Sequence, residues 1–151
     1  MTQVIFHSSA GFGEYAERKV LVFDGGAGSG AVGANTLFTV TGAIHVMLVA
    51  ACIESLTEAL ATATVEVGIS SDTAGLIPQT NAVDIDVGEI WRDATPSGME
   101  VMSSFGGAFI GDGEDIILTV AGGAGRNVND GTISFTCFWT PLTPDGSVVA
   151  A

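Results

Sequence analysis

The sequence predicts an all-β chain folded as one domain, a sandwich or barrel of jelly-roll type with about eight to ten strands and little or no helix. Three observations carry this. Apolar and polar residues alternate with period two in several separate stretches, the pattern of half-buried strands. The 21 glycines, together with Pro, Asn and Asp, punctuate the chain at short intervals. Helical periodicity is almost absent.

Taken in order, residues 2–6 form a short β-prone run, closed by a loop over 7–13, and residues 1–13 together can extend as an arm. Residues 15–24, YAERKVLVFD, alternate Val20 and Val22 against Leu21 and Phe23, as a strand does. A glycine-rich loop over 25–35 follows. Next comes TLFTVTGAIHVMLVAACI, residues 36–53, inside a segment without a charged side chain between Asp24 and Glu54. Its Thr and Gly positions and His45 interrupt the run of about 18 apolar residues that a helical membrane span needs, so it reads as the central strand. From Ala43 both parities are apolar, with Ile44, Val46 and Leu48 on one face and Met47 and Val49 on the other. A strand apolar on both faces is expected between two packed layers, or between a sheet and a partner.

Residues 54–61 are the one place where a helical turn competes with a loop. Residues 62–70 alternate cleanly, with Val65, Val67 and Ile69 inward, whereas 71–81 has turn chemistry. Residues 83–91 alternate Val83, Ile85 and Val87 with Asp84 and Asp86, which predicts another strand. A turn over 92–98, two short strands within 99–110 and a strand over 114–121 come next. A hairpin-type connection over 122–131, ending in Asp130–Gly131, leads to the last long strand at 132–140. Pro141 ends that strand, and Asp145–Gly146 turns the chain back over 147–149.

Composition narrows the function. The 151 residues suit one domain. They are 47% hydrophobic and 14% charged, against about 25% charged for an ordinary soluble domain. Mean hydropathy is +0.50. The surplus apolar surface is expected in a subunit interface. Seventeen acids against four bases leave a net charge of −13, which argues against nucleic acid and anionic membranes as partners. Arg18, Lys19, Arg92 and Arg126 are too scattered to form a basic footprint. The N-terminal residues lack the basic start and apolar core of a secretory signal, so folding in a cytoplasm is expected. Cys52 and Cys137 sit in apolar strands and read as buried free thiols.

No stretch supports a catalytic or cofactor site. Gly28, Gly30 and Gly33 match a dinucleotide fingerprint, but no helix begins after them to hold a pyrophosphate. Asp84, Asp86, Glu89 and Asp72 could be imagined around a hard cation, as could the 111–115 turn, yet neither has the spacing of a calcium loop. His7 and His45 are the two histidines, and a triad of His45 with Ser103 or Ser104 lacks the nucleophile elbow. The chain therefore reads as a non-enzyme without cofactor or metal. Phe135, Phe138 and Trp139, with Trp91, form an aromatic set that suits core and interface, or else a sugar-stacking platform.

TLFTVTGAIHVMLVAAC, VDIDVGEIWRDATP, GDGEDIILTVAGG and GTISFTCFWTPLTPDGSVVA resemble segments of small virion proteins of tailed bacteriophages. The resemblance runs from about residue 35 to residue 151 and rests on strand and turn pattern. It implies a capsid decoration, or cement, protein on the outer surface of the virion, assembled in the host cytoplasm. Such a protein oligomerises, with a trimer favoured, and clamps the major capsid protein. Expected interface residues are Phe38, His45, Met47, Val49, Phe138 and Trp139. A head-fibre or tail component, and a lectin-like sugar-binding module, are the alternatives.

Overall fold

The computed structural model describes residues 4–5, 14–58, 62–100, 107–111 and 113–151. Its strands are β1 (Val4–Ile5), β2 (Tyr15–Val22), β3 (Gly33–Thr41), β4 (Ile44–Glu58), β5 (Thr64–Ile69), β6 (Asp72–Asn81), β7 (Ile90–Trp91), β8 (Ala108–Ile110), β9 (Ile116–Ala121), β10 (Val128–Pro141) and β11 (Ser147–Ala150). They form two antiparallel sheets. One runs β1-β2-β10-β4, with β7 and β8 both on the far edge of β4; the other runs β11-β3-β9-β5-β6. The two sheets stack as a sandwich rather than closing into a barrel. With β1, β8 and β11 set aside, the remaining strands pair in jelly-roll order, first-eighth-third-sixth facing second-seventh-fourth-fifth.

The inner faces supply one core. Leu21, Phe23, Val46, Ala50, Ile133, Phe135 and Cys137 come from the six-stranded sheet, and Phe38, Val65, Val67, Leu118 and Val120 from the other. Trp91 is fully buried, meets Phe135 edge-on at 6.4 Å, and donates its indole N–H to Thr80 Oγ1 at 2.8 Å. That bond ties β7 to β6 across the sandwich. On the opposite flank the buried Glu17 of β2 accepts the Ala150 N–H of β11 at 3.3 Å, and the Lys19 ammonium donates to the Ala151 carbonyl.

Several sequence expectations change here. The stretch 36–53 is two strands in different sheets, not one. Gly42 adopts φ +62° between them, and a Cβ there would lie 2.6 Å from Asp145 Oδ1 and from Thr143 Oγ1, so the crossing requires glycine. A bulge at Leu37 lets Leu37 and Phe38, adjacent in sequence, both face the core. Residues 54–58 continue β4 instead of forming a helical turn, while 59–61 lie outside the described residues. Residues 72–81, read as turn, make the edge strand β6, where Pro78 is tolerated because one side of the strand has no ladder to complete.

Of the strand expected over 83–91, only Ile90–Trp91 forms, as β7. Before it the chain makes a short 3₁₀ turn at Ala82–Asp84, and Ile85 is buried whereas Val83 and Val87 are exposed. Likewise 122–127 carries the chain from one sheet to the other, because β9 and β10 belong to different sheets, and Asp130–Gly131 lies within an irregular start of β10. Within 99–110 β8 is described, and 101–106 lies outside the described residues. Most of the proposed arm, 1–3 and 6–13, also lies outside them.

The glycine-rich loop is held in place by Asn35. This side chain is buried, accepts the Gly30 N–H at 3.1 Å, and donates to the carbonyls of Ala31 and Gly33 at 3.1 Å and of Leu118 at 3.4 Å. Asp24 closes the other end, accepting the Gly26 N–H at 2.8 Å and the Ser29 hydroxyl. These bonds hold the Asp24 carboxyl below the usual carboxylate range, the Ser29 hydroxyl contributing most. The loop is a braced turn that continues directly into β3, not into a helix.

Candidate interaction surface

Alternation along a strand sends successive side chains to opposite faces, so each sheet has an inner and an outer side. The register fixes which residues share the outer side of the six-stranded sheet. Phe138 lies between Ala16 and Met47, Thr136 between Arg18 and Val49, and Ser134 between Val20 and Ala51. His45 faces Thr140 and pairs with Phe109 of β8, whose ring lies 5.1 Å from the imidazole. Ile90 stands beside Ala51. Val20, Val22, Ile53 and Phe109 are 48%, 60%, 51% and 77% exposed.

Among these described outward positions of β2, β4 and β10, from Ala16 to Val22, His45 to Ile53 and Ser134 to Thr140, there is no carboxylate. Arg18 is the one permanent charge. In a chain with 17 acids this is a strong local depletion. Apolar content with few charges is the composition of an interface centre, not of an ordinary wet surface.

The sequence-derived interface residues separate into two groups. His45, Met47, Val49 and Phe138 share this outer face. Phe38 and Trp139 do not: both point inward and are buried, Trp139 stacking on Tyr15 at 4.5 Å. The reason is parity, since Trp139 is one residue from Phe138 and so lies on the opposite side. Trp91 is equally internal, which removes both tryptophans from any sugar-stacking platform. The residues that sequence reasoning missed are Val20, Val22 and Ile53. The Val20–Val22 alternation was visible, but not which parity faced the core.

The remaining candidates are absorbed by local structure. Asp84 accepts the Asn81 side-chain amide at 3.0 Å, and Glu89 accepts the Asp86 N–H at 3.0 Å. Glu114 accepts the hydroxyls of Ser70 at 2.9 Å and Ser71 at 2.8 Å, and Asp115 accepts the Val40 N–H at 2.9 Å. Among the described residues no group of three or more His, Cys, Asp or Glu could hold a metal ion. Burial pushes the Cys52 thiol up to about 11, with Asp86 and Glu89 adding to the effect, and the Cys137 thiol up to about 12, so both are neutral at ordinary pH. His7, Ser103, Ser104 and Asp112 lie outside the described residues. No described helix is long and apolar enough to cross a membrane.

Compared with family models, with curated proteins and with solved structures, the chain matches none.

Proposed function

We propose that this chain is a structural virion protein, most concretely a capsid decoration protein that oligomerises and stabilises the outer shell of a tailed-phage head. The observation that carries the reading is the apolar, acid-free outer face of the six-stranded sheet. Apolar outward side chains with few charges, Val20, Val22 and Ile53 among them, favour a lasting contact over a solvated surface. The net charge of −13 suits a position outside the shell, away from packaged DNA. Jelly-roll order recurs in viral capsid domains and also in lectins, so the fold supports the reading only by analogy. Against the lectin alternative stand the buried Trp91 and Trp139.

The test is a density map of the intact particle. The chain is expected on the outer surface of the head, contacting the major capsid protein. Finding it in the tail or a head fibre would transfer the reading to those structures, and finding it inside against DNA would overturn it.

A further inference from the structure

We propose that Asp130 is a site of spontaneous backbone modification, its carboxyl closing on the Gly131 amide to a succinimide that reopens as isoaspartate. This chemistry belongs to the chain alone and needs no partner.

The sequence holds Asp–Gly pairs at Asp24, Asp112, Asp130 and Asp145. Glycine favours the closure, because it has no side chain to crowd the attacking nitrogen. What separates the pairs is where the glycine N–H is held. Gly25 donates to the Ser29 carbonyl at 3.2 Å, Gly113 to the Gly42 carbonyl at 3.1 Å, and Gly146 to the Thr143 carbonyl at 2.9 Å. Each of these amides is turned toward another residue's backbone. Asp24 is committed a second time, since its carboxylate accepts the Gly26 N–H at 2.8 Å and the Ser29 hydroxyl. Gly131 differs: its N–H donates at 2.9 Å to Oδ1 of Asp130, the aspartate immediately before it. The nitrogen already stands against the carboxyl group it attacks, with Cγ one C–O bond beyond that oxygen. Holding two reacting groups in contact removes most of the entropic cost of bringing them together.

Local structure leaves room for the reaction. Asp130 is exposed, so water reaches the ring that must reopen. Gly131 has φ +111°, and β10 shifts register against β4 on both sides of Asp130. The ring therefore forms in an irregular stretch, not in a regular ladder.

The reaction needs no co-reactant but water. Gly131 N bonds to Cγ of the Asp130 acid, the Cγ–OH bond breaks, and the hydroxyl departs as water with the amide proton. Water then adds to the main-chain carbonyl carbon of Asp130, and the bond from that carbon to Gly131 N breaks. Cγ is left in the main chain, and the former main-chain carbonyl becomes a free carboxylate. Mass and charge return to their starting values, but the backbone gains one carbon between Asp130 and Gly131. That carbon separates two bonds set by the present spacing. Before it, the Val128 N–H donates to the Gly30 carbonyl at 2.9 Å; after it, the Gly131 carbonyl accepts the Phe23 N–H at 2.9 Å. Both tie β10 to the glycine-rich loop and the strand end that leads into it, so the isomerised chain holds that loop less firmly.

The folded chain, kept at physiological temperature and neutral pH for several weeks, is mapped by peptide mass spectrometry. Electron-transfer fragmentation locates isoaspartate, and hydroxylamine traps the succinimide. Isoaspartate is expected to accumulate at Asp130 at least about tenfold faster than at Asp24, Asp112 or Asp145. In urea the contacts that distinguish the sites are gone, and the rates are expected to fall within a few-fold of one another. Asp130→Glu keeps a carboxylate at an exposed position but requires a larger ring; it is expected to abolish the modification there with an unchanged circular dichroism spectrum. No isoaspartate at Asp130 in the folded chain, an equal or faster rate at one of the other sites, or the same preference persisting in urea overturns the proposal.

Discussion

The two sheets of the sandwich share one core but present opposite exteriors. Outside the five-stranded sheet, hydroxyls and a carboxylate dominate, and they bond to one another, as Thr73 does to Glu66 at 2.5 Å. Outside the six-stranded sheet, Val20, Val22 and Ile53 are exposed, and Val49 and Phe138 half-buried, where a wet surface would carry polar residues. The difference teaches that mean hydropathy alone was ambiguous. Exposed apolar residues concentrate on the six-stranded layer, and its outward positions from Ala16 to Val22, His45 to Ile53 and Ser134 to Thr140 carry no acid.

The sharpest way to break this contrast is to place a carboxylate on each exterior. Met47→Asp puts a charge at an outward-parity position that the chain itself buries, only 6% exposed, and urea denaturation is expected to show a loss of about 3 kcal/mol or more. Thr39→Asp, at an exposed position of the other exterior, is expected to change stability by less than about 0.5 kcal/mol. Equal losses would mean that the two exteriors are equivalent.

The shared core has its own signature in alkali. Burial raises the Cys137 thiol from 9.0 to about 12, so above pH 9 the unfolded chain releases a proton that the folded chain keeps. Stability is therefore complete below pH 9 and falls as the pH rises toward 12, by about 1 kcal/mol near pH 10. Melting temperatures of the native chain and Cys137→Ala, followed from pH 8 to 11, are expected to converge as the pH rises. A constant gap would refute the assignment.

Two smaller effects sharpen the comparison. Thr119 Oγ1 is buried on the polar exterior without a hydrogen-bond partner, so Thr119→Val is expected to stabilise the fold by about 1 kcal/mol in thermal unfolding. Val22→Thr, on the apolar exterior, is expected to leave the melting temperature of the monomer nearly unchanged while weakening self-association several-fold by light scattering.

Much of the architecture was legible where alternation was clean and bounded. Val65 and Val67 in β5, and Phe135 and Cys137 in β10, face the core as their period predicts. Alternation misled at 83–87, because Gly88 and the Ala82–Asp84 turn bend the chain, and of Val83, Ile85 and Val87 only Ile85 reaches the interior. Turn chemistry misled at 72–81, because an edge strand tolerates Gly75 and Pro78 that a central one would reject. The candidate surface was half legible. Phe138 and Met47 stood out by hydrophobicity, but Phe38 and Trp139 did too, and only the register separates inner from outer parity. The lone Asn35 at the head of an apolar strand was the available sign that the glycine loop is braced.

The pairing of β2 with β10 has a kinetic consequence. Leu21 meets Ile133, so the first long strand finds its partner only when the last long strand arrives. Closing so wide a span before any contact is made slows folding, and jelly-roll domains of this kind belong among chains that fold in milliseconds to seconds. During synthesis on the ribosome, β2, with only the two residues of β1 beside it, would wait through the emergence of every strand before β10. Its Arg18 and Lys19, the charges an unpaired edge needs to resist wrong partners, sit on the strand that waits longest.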